Sequence, residues 1–169
     1  MNKAADFLRP KSAKIATIVK SASDERELRV LLKGYYQDNE KNDGSENDES
    51  NTVISLIAEH LFKKLRGSNN LVFPNSRQMV ESLTDTLREK SEREGVENEF
   101  FPHHGNLSKE IREETELTLK SNSFATAICT NTLELGIDIG TIKNVAQIGC
   151  SPSVASLRQR LGRSGRRKG

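Results

Sequence analysis

The sequence predicts an α/β fold, a three-layer domain in which a mostly parallel sheet is flanked by helices. From about residue 52 onwards, short apolar runs that suit strands buried on both faces alternate with segments of helical apolar spacing. Parallel strands need such crossover helices between them. The length of 169 residues gives room for one domain of roughly 100 to 200 residues and excludes two complete halves around a cleft.

The part before this pattern divides into two predicted pieces. Residues 1–37 form a lead-in, with a weakly amphipathic helix around residues 12–20 and a strand over Leu28–Leu32. Residues 38–51 contain no hydrophobic residue and many acidic ones, which predicts a flexible acidic loop, either a solvated insertion or a partner-binding segment. Residues 52–169 then form the principal domain.

Within the principal domain the predicted elements follow in order. Asn51 or Thr52 caps a helix that ends at Gly67. Further helices are predicted to start at Asn75 or Ser76, at Ser108 and at Ser153. The predicted strands are Leu71–Phe73, Phe100–Phe101, Phe124–Cys129 and Val145–Ile148. In a parallel sheet of this kind, ligands bind in the loops that leave the carboxyl ends of the strands.

Composition excludes several classes of protein. The formal net charge is only +2, so any anion-binding site must be local. Cys129 and Cys150 form no Cys-x-x-Cys pattern, and three histidines make a metal cage unexpected, so we predict no metal site. Since no apolar stretch approaches the roughly 20 residues that span a bilayer, we expect a cytoplasmic protein without a membrane partner.

The last predicted helix has two distinct faces. At about 100° per residue, Val154, Leu157 and Leu161 form one narrow apolar arc that we expect to dock on the sheet. The opposite face then carries Gln159, Arg163 and Arg166. Guanidinium groups on successive turns suit phosphate oxygens, although an ordinary solvated basic helix is the alternative.

The segment Thr130–Asp138 leaves the end of an apolar strand. Thr130 and Asn131 offer hydroxyl, amide and backbone N–H groups that suit a phosphate. Gly136 permits a sharp turn, after which Asp138 can accept hydrogen bonds from a sugar hydroxyl or hold an arginine.

Four segments in order resemble helicase motifs. Gln159–Arg166 fits motif VI, Gln-Arg-x-Gly-Arg-x-x-Arg, at every fixed position, and Thr130–Ile139 resembles motif V. Leu71–Arg77 resembles motif IV, and His103–Ser108 resembles the His-Gly segment between motifs IV and V. Residues 52–169 therefore resemble the second RecA-like domain of a superfamily 2 ATP-dependent helicase. The amino-acid sequences of these motifs are similar to those of the large helicase-related (Lhr-like) DNA helicases. This resemblance also suggests a role in DNA repair.

The resemblance implies roles for individual residues. Arg163 and Arg166 would be arginine fingers on the γ-phosphate of ATP, with Gln159 supporting them, while Gly136 and Asp138 would contact the ribose or couple it to motif VI. The residues expected along the nucleic-acid groove are Ser76, Arg77, His104, Gly105, Thr130, Asn131 and Arg160. The cofactors would be ATP and Mg²⁺, with magnesium held by the N-terminal RecA-like domain of the same parent protein.

The parts that begin an ATPase site are not in the sequence. There is no Gly-x-x-x-x-Gly-Lys-Ser/Thr loop, and Asp24-Glu25 does not follow a buried strand. We therefore expect part of a longer protein, a sheet that lacks its last strand, and no ATP hydrolysis by the isolated chain. The alternative is a non-catalytic α/β module that binds nucleic acid. A nucleotide-binding or methyl-transfer enzyme is disfavoured because the sequence contains no Gly-x-Gly-x-x-Gly loop. The sequence leaves DNA and RNA open.

Overall fold

The computed structural model of the chain describes residues 29–35, 53–121, 123–134 and 138–164. The chain divides into two compact units, residues 1–32 and 33–169. In the described part of the first unit, residues 29–32 form no strand, and Leu32 is 96% exposed. The strand predicted over Leu28–Leu32 is wrong for these four residues, because an apolar run alone does not supply the neighbouring strand that a hydrogen-bond ladder requires. The predicted helix at residues 12–20 and the acidic segment lie outside the described residues.

The described part of the second unit contains four helices and four strands. In chain order these are α1 Val53–Leu65, β1 Asn70–Phe73, α2 Arg77–Arg93, β2 Phe100–His103, α3 Lys109–Lys120, β3 Thr126–Cys129, β4 Asn144–Gln147 and α4 Val154–Leu161. The strands lie in the order β2-β3-β1-β4, and every neighbouring pair is parallel. The predicted three-layer α/β fold is confirmed.

Two apolar cores lie on opposite faces of the sheet because successive strand residues point to opposite sides. Val72 and Ile128 pack with the apolar faces of α1 and α2. Leu71 and Phe73 pack on the other face with Leu119 of α3 and with the segment that follows β3. All four residues of β1 are buried, as the continuous apolar run predicts for a central strand.

A buried asparagine fixes the register of the strands at their amino ends. Asn70 on β1 donates through Nδ2 to Thr126 Oγ1 on β3 at 3.0 Å and accepts through Oδ1 from Asn144 Nδ2 on β4 at 2.8 Å. These three residues are direct register partners in the ladder. Because an unpaired buried amide costs about 1–3 kcal/mol, a slipped strand would lose these bonds and is disfavoured.

Serine side chains begin three of the helices as predicted. Ser76, Ser108 and Ser153 each accept a hydrogen bond from a backbone N–H in the first turn of α2, α3 and α4. Such caps satisfy donors that the helix itself leaves unpaired and contribute about 1 kcal/mol each. Gly67 follows the end of α1 with a φ of +72°, a conformation that favours glycine.

Candidate functional site at the carboxyl ends of the strands

The loops predicted to carry function leave one edge of the sheet. Because all four strands run parallel, their carboxyl ends share an edge. The loop after β1 carries Ser76 and Arg77, the loop after β2 begins with His104 and Gly105, and the loop after β3 begins with Thr130 and Asn131. This is the edge at which α/β proteins bind ligands.

The loop after β1 presents an exposed arginine at a helix start. Arg77 is the first residue of α2 and is exposed, so its charge is available beside the unpaired N–H groups of the first turn. Ser76 is exposed too, but its Oγ accepts from Met79 N at 3.1 Å as the helix cap. The neighbouring loop packs closely here, since Gln147 Nε2 lies 3.3 Å from Asn75 Oδ1.

The two histidines at the end of β2 are both buried, each at 1% exposure. His103 makes ordinary polar contacts: Nδ1 lies 2.7 Å from Thr132 Oγ1 and Nε2 lies 3.1 Å from Glu116 Oε1 on α3. Burial lowers the pKa of His103 below its usual value, against the opposing effect of Glu116. His103 therefore ties the loop after β3 and helix α3 to the end of β2.

His104, at the end of β2, approaches α2. Its Nε2 lies 3.2 Å from Glu81 Oε1 on α2, and its ring lines a cavity of about 260 Å³ between α2 and β2. His104 thus contacts α2, and its predicted place along the nucleic-acid groove stays a prediction. Gly105, the next residue, is exposed.

The loop after β3 is held by backbone and side-chain bonds to β2. Thr130 N donates to the His103 carbonyl at 3.3 Å, and Thr130 is half-buried while Asn131 is exposed. Asp138 is exposed, and its Oδ1 accepts from Gly140 N at 3.3 Å. Gly136, predicted to form the turn between them, lies outside the described residues.

The orientation of α4 contradicts the prediction. Val154, at the start of the expected docking arc, is 72% exposed and Leu157 is 37% exposed, whereas Arg160 is 4% exposed. The Arg160 guanidinium donates to Glu134 Oε2 from Nε at 3.1 Å and from Nη2 at 2.9 Å. It also lies 4.7 Å from the centroid of the Phe73 ring. Internal partners therefore occupy the Arg160 guanidinium, and its nucleic-acid contact stays a prediction.

Arg163 lies beyond the helix and not on its face. Helix α4 ends at Leu161 with Gly162 as its cap, so the helical alignment of Gln159 with Arg163 is wrong. Gln159 is exposed on α4. Arg163 is half-buried and donates to the Glu134 carbonyl from Nε at 3.2 Å and from Nη2 at 3.1 Å. Arg166 lies outside the described residues.

Sequence reasoning missed two residues of this site. Glu134 and Gln147 both contact Arg160, the latter through Gln147 Oε1 and Arg160 Nη1 at 2.5 Å. The available signal was charge: Glu134 stands in an otherwise uncharged stretch from residue 121 to residue 137, upstream of the acid-free basic run that starts at Arg158. A helical wheel weighs only apolar spacing and does not detect such a pair.

The fold and its loops define a RecA-like α/β domain. The second domain of the DEAD-box helicase Mss116p, solved with an RNA duplex, superposes with a TM-score of 0.57 at 20% identity, covering 67% of this chain and 44% of that chain. At this identity the likeness shows the fold alone.

Residues 51–168 match the family described as the helicase conserved C-terminal domain, and the chain belongs to this family. It is similar to Lhr-type helicases. The Mycobacterium smegmatis helicase Lhr, solved with single-stranded DNA and AMP-PNP, superposes with a TM-score of 0.62 at 38% identity, covering 70% of this chain and 16% of that one.

Two curated proteins of similar sequence are also Lhr helicases. The Lhr helicase/probable uracil glycosylase of Mycolicibacterium smegmatis is 33% identical in an alignment of length 151 that covers 72% of this chain and 10% of the relative. The ATP-dependent helicase Lhr-Core of Saccharolobus solfataricus is 30% identical over 163 residues, 95% of this chain and 16% of the relative. This chain thus spans about a tenth to a sixth of the length of these relatives.

Two further features concern the described residues only. They include no group of three or more histidine, cysteine, aspartate or glutamate side chains that could hold a metal ion. None of the described helices combines the length and the apolar character needed to cross a membrane.

Proposed function

We propose that this chain is the C-terminal motor half of an ATP-dependent helicase or translocase that acts on DNA. The N-terminal RecA-like domain of the same parent protein would bind ATP and hold Mg²⁺, and this chain would complete the site from the opposite side. One observation carries the proposal. Arg163 is tethered to the loop that leaves β3, at the edge of the sheet where parallel α/β domains bind ligands.

In the nucleotide site, this chain contributes positive charge and sugar contacts. Arg163 and Arg166 act as arginine fingers that stabilise the charge on the transferred phosphoryl group, an effect of about 10³ to 10⁵ in rate. Gln159, exposed on α4, supports the same site. Gly136 and the exposed Asp138 face the ribose or couple it to the arginines.

In the nucleic-acid groove, phosphates are the main ligands. Arg77, Ser76, Gly105, Thr130 and Asn131 belong to three neighbouring loops at one edge. Contacts of this kind give affinity without sequence specificity and weaken as salt concentration rises. DNA is favoured because the similar helicase Lhr was solved with single-stranded DNA. The DNA-repair role and a cytoplasmic location belong to the same proposal.

Mixing the two halves tests the proposal. ATP hydrolysis is measured for this chain, for the N-terminal RecA-like domain of its parent protein and for their mixture, each with and without single-stranded DNA. We expect activity only in the mixture, because this sequence has no phosphate-binding Gly-Lys loop. Arg163→Ala should lower kcat of the mixture by about 10³-fold or more. The control is Arg158→Ala, which changes an exposed arginine on α4 and should leave kcat within a few-fold.

Two results would contradict the proposal. DNA-stimulated hydrolysis by this chain alone, abolished by Arg163→Ala, would refute its dependence on a partner domain. Salt-sensitive DNA binding without any rescue of hydrolysis would favour the alternative function, a non-catalytic nucleic-acid-binding module. The exposed Arg77 and Asn131 would serve that module equally well.

A further inference from the structure

A buried ion pair joins the helicase-like segment on α4 to the loop after β3. The side chains of Arg160 and Glu134 are 4% and 8% exposed, and their closest atoms, Nη2 and Oε2, are 2.9 Å apart. Arg160 has two further partners, the Gln147 amide oxygen and the face of the Phe73 ring. Its guanidinium is thereby fixed in three directions by groups from β1, β4 and the loop after β3.

Glu134 makes a second contact through its main chain. Its main-chain carbonyl accepts from Nε and Nη2 of Arg163 at 3.2 and 3.1 Å. Both donors lie on one edge of the guanidinium, so this edge faces the Glu134 carbonyl oxygen. One residue therefore holds both arginines, Arg160 through its carboxylate and Arg163 through its backbone.

The same network reaches the opposite loop of the candidate site. Gln147 ends β4, contacts Arg160 through Oε1 and approaches Asn75 Oδ1 through Nε2 at 3.3 Å. Asn75 directly precedes Ser76 and Arg77 in the loop after β1. Glu134 thus stands at one end of a continuous set of polar contacts across the carboxyl edge of the sheet.

A buried ion pair is a costly way to dock a helix. Replacing such a pair with well-packed apolar side chains is often neutral or stabilising. Helix α4 carries apolar side chains that could have packed on the sheet instead, since its Val154 and Leu157 remain exposed. What the pair supplies instead is direction, because charged hydrogen bonds hold their partners in one geometry, and reacting groups must be held within about 0.5 Å.

We infer that Glu134 is a positioning residue that sets the orientation of Arg163, its carboxylate locking α4 through Arg160 and its main-chain carbonyl locking the Arg163 guanidinium. The inference rests on the proposed function, in which Arg163 is an arginine finger. The Glu134 side chain is only 8% exposed, so in this arrangement it acts through the two arginines.

The kinetic test uses the two-domain parent protein. Glu134→Gln removes the charge that fixes Arg160 but keeps the shape of the side chain. We expect kcat for DNA-stimulated ATP hydrolysis to fall by about 10²-fold, the effect of a small misplacement of a reacting group. The KM for ATP and the Kd for single-stranded DNA should change little, because the Glu134 carboxylate is buried and paired with Arg160.

A double variant separates positioning from stability. Glu134→Leu combined with Arg160→Met replaces the pair with apolar side chains of similar length and should recover the stability that either single change loses. We expect kcat to stay low in this variant, because directional contacts to α4 are still missing. Recovery of kcat together with stability would overturn the inference and leave the pair a structural role only.

A spectroscopic test needs no activity. In the 169-residue chain, the Nε–H signal of Arg163, assigned by its loss in Arg163→Lys, should exchange slowly with water and lose this protection in Glu134→Gln. Unchanged protection in that variant would overturn the inference. If Arg163→Ala leaves kcat of the parent protein unchanged, the proposed function fails instead, whatever Glu134 does, so the two failures are distinguishable.

Discussion

Helices α2 and α4 meet the same sheet by different means. Both follow a strand end, and both begin at a serine cap. Helix α2 buries Val80, Leu83 and Leu87 completely, at the spacing expected of an amphipathic helix. Helix α4 leaves Val154 72% exposed and instead buries an arginine.

The difference concerns what each helix must do. Apolar burial is strong but non-directional, so it fixes α2 as part of the core. The Arg160 contacts are few and directional, so they determine where α4 and the following Arg163 lie relative to the loop after β3. The two helices are therefore held by different kinds of contact, apolar burial for α2 and a buried ion pair for α4, and variants of each helix can test this difference.

The largest effect is expected from breaking the ion pair under α4. Glu134→Ala leaves the Arg160 guanidinium buried without its carboxylate, which should lower the free energy of unfolding by about 3–5 kcal/mol. Urea denaturation of the isolated chain measures this. A loss below about 1 kcal/mol, within the range of surface ion pairs, would mean that the pair does not hold α4.

A comparable or slightly smaller loss is expected from the core face of α2. Leu83 is fully buried, so Leu83→Ala should cost about 2–5 kcal/mol through lost burial and the cavity that remains. The matched control is Leu56→Ala on α1, where 36% of the leucine is exposed and the loss should be smaller. Equal losses at the two positions would contradict the assignment of Leu83 to the core.

A smaller effect is expected at the start of α4. Ser153 Oγ accepts from Ser156 N at 3.0 Å, so Ser153→Ala should cost about 1 kcal/mol. Ser153→Asp is the control, because a carboxylate keeps the cap and suits the positive end of the helix. If both variants lose the same free energy of unfolding, the cap is not the cause.

The smallest effect is expected from the apolar side chain that the sequence pattern assigns to the docking face. Val154→Ser should change the free energy of unfolding by no more than about 0.5 kcal/mol, as surface substitutions do. Thermal denaturation of Val154→Ser and Leu83→Ala, measured side by side, compares the two losses of stability. A loss of 2 kcal/mol or more, as expected of a buried valine, would show that Val154 does pack on the sheet, and would contradict the difference between α2 and α4.

Most of the fold follows from local patterns in the sequence. The run Leu71–Phe73 predicts a buried strand, Ser76 and Ser108 predict helix starts, and the structure contains all three elements. Strand boundaries shift by a residue or two: β3 begins at Thr126, and Phe124, predicted inside it, is 57% exposed. Such patterns succeed because burial on one face and capping depend on residues close in sequence.

The interior of the candidate site does not follow from local patterns. Arg160 and Glu134 are 26 residues apart, and His103 and Thr132 are 29 apart. Both pairs form only because parallel strands bring their carboxyl ends to one edge. The motif resemblance identifies the segment around Arg160, but whether an arginine in it faces a ligand or the sheet depends on a partner from another loop.

The central claim is that Arg163 completes an ATP site formed with a second RecA-like domain. A structure of the parent protein with a non-hydrolysable ATP analogue and single-stranded DNA tests it most directly, because the distance from the Arg163 guanidinium to the γ-phosphate oxygens is then observed. The proposal predicts charge-assisted hydrogen bonds of about 2.7–2.9 Å, with Glu134 still holding Arg160. An ordered Arg163 that points away from the phosphate, in a closed complex with both ligands bound, would contradict it.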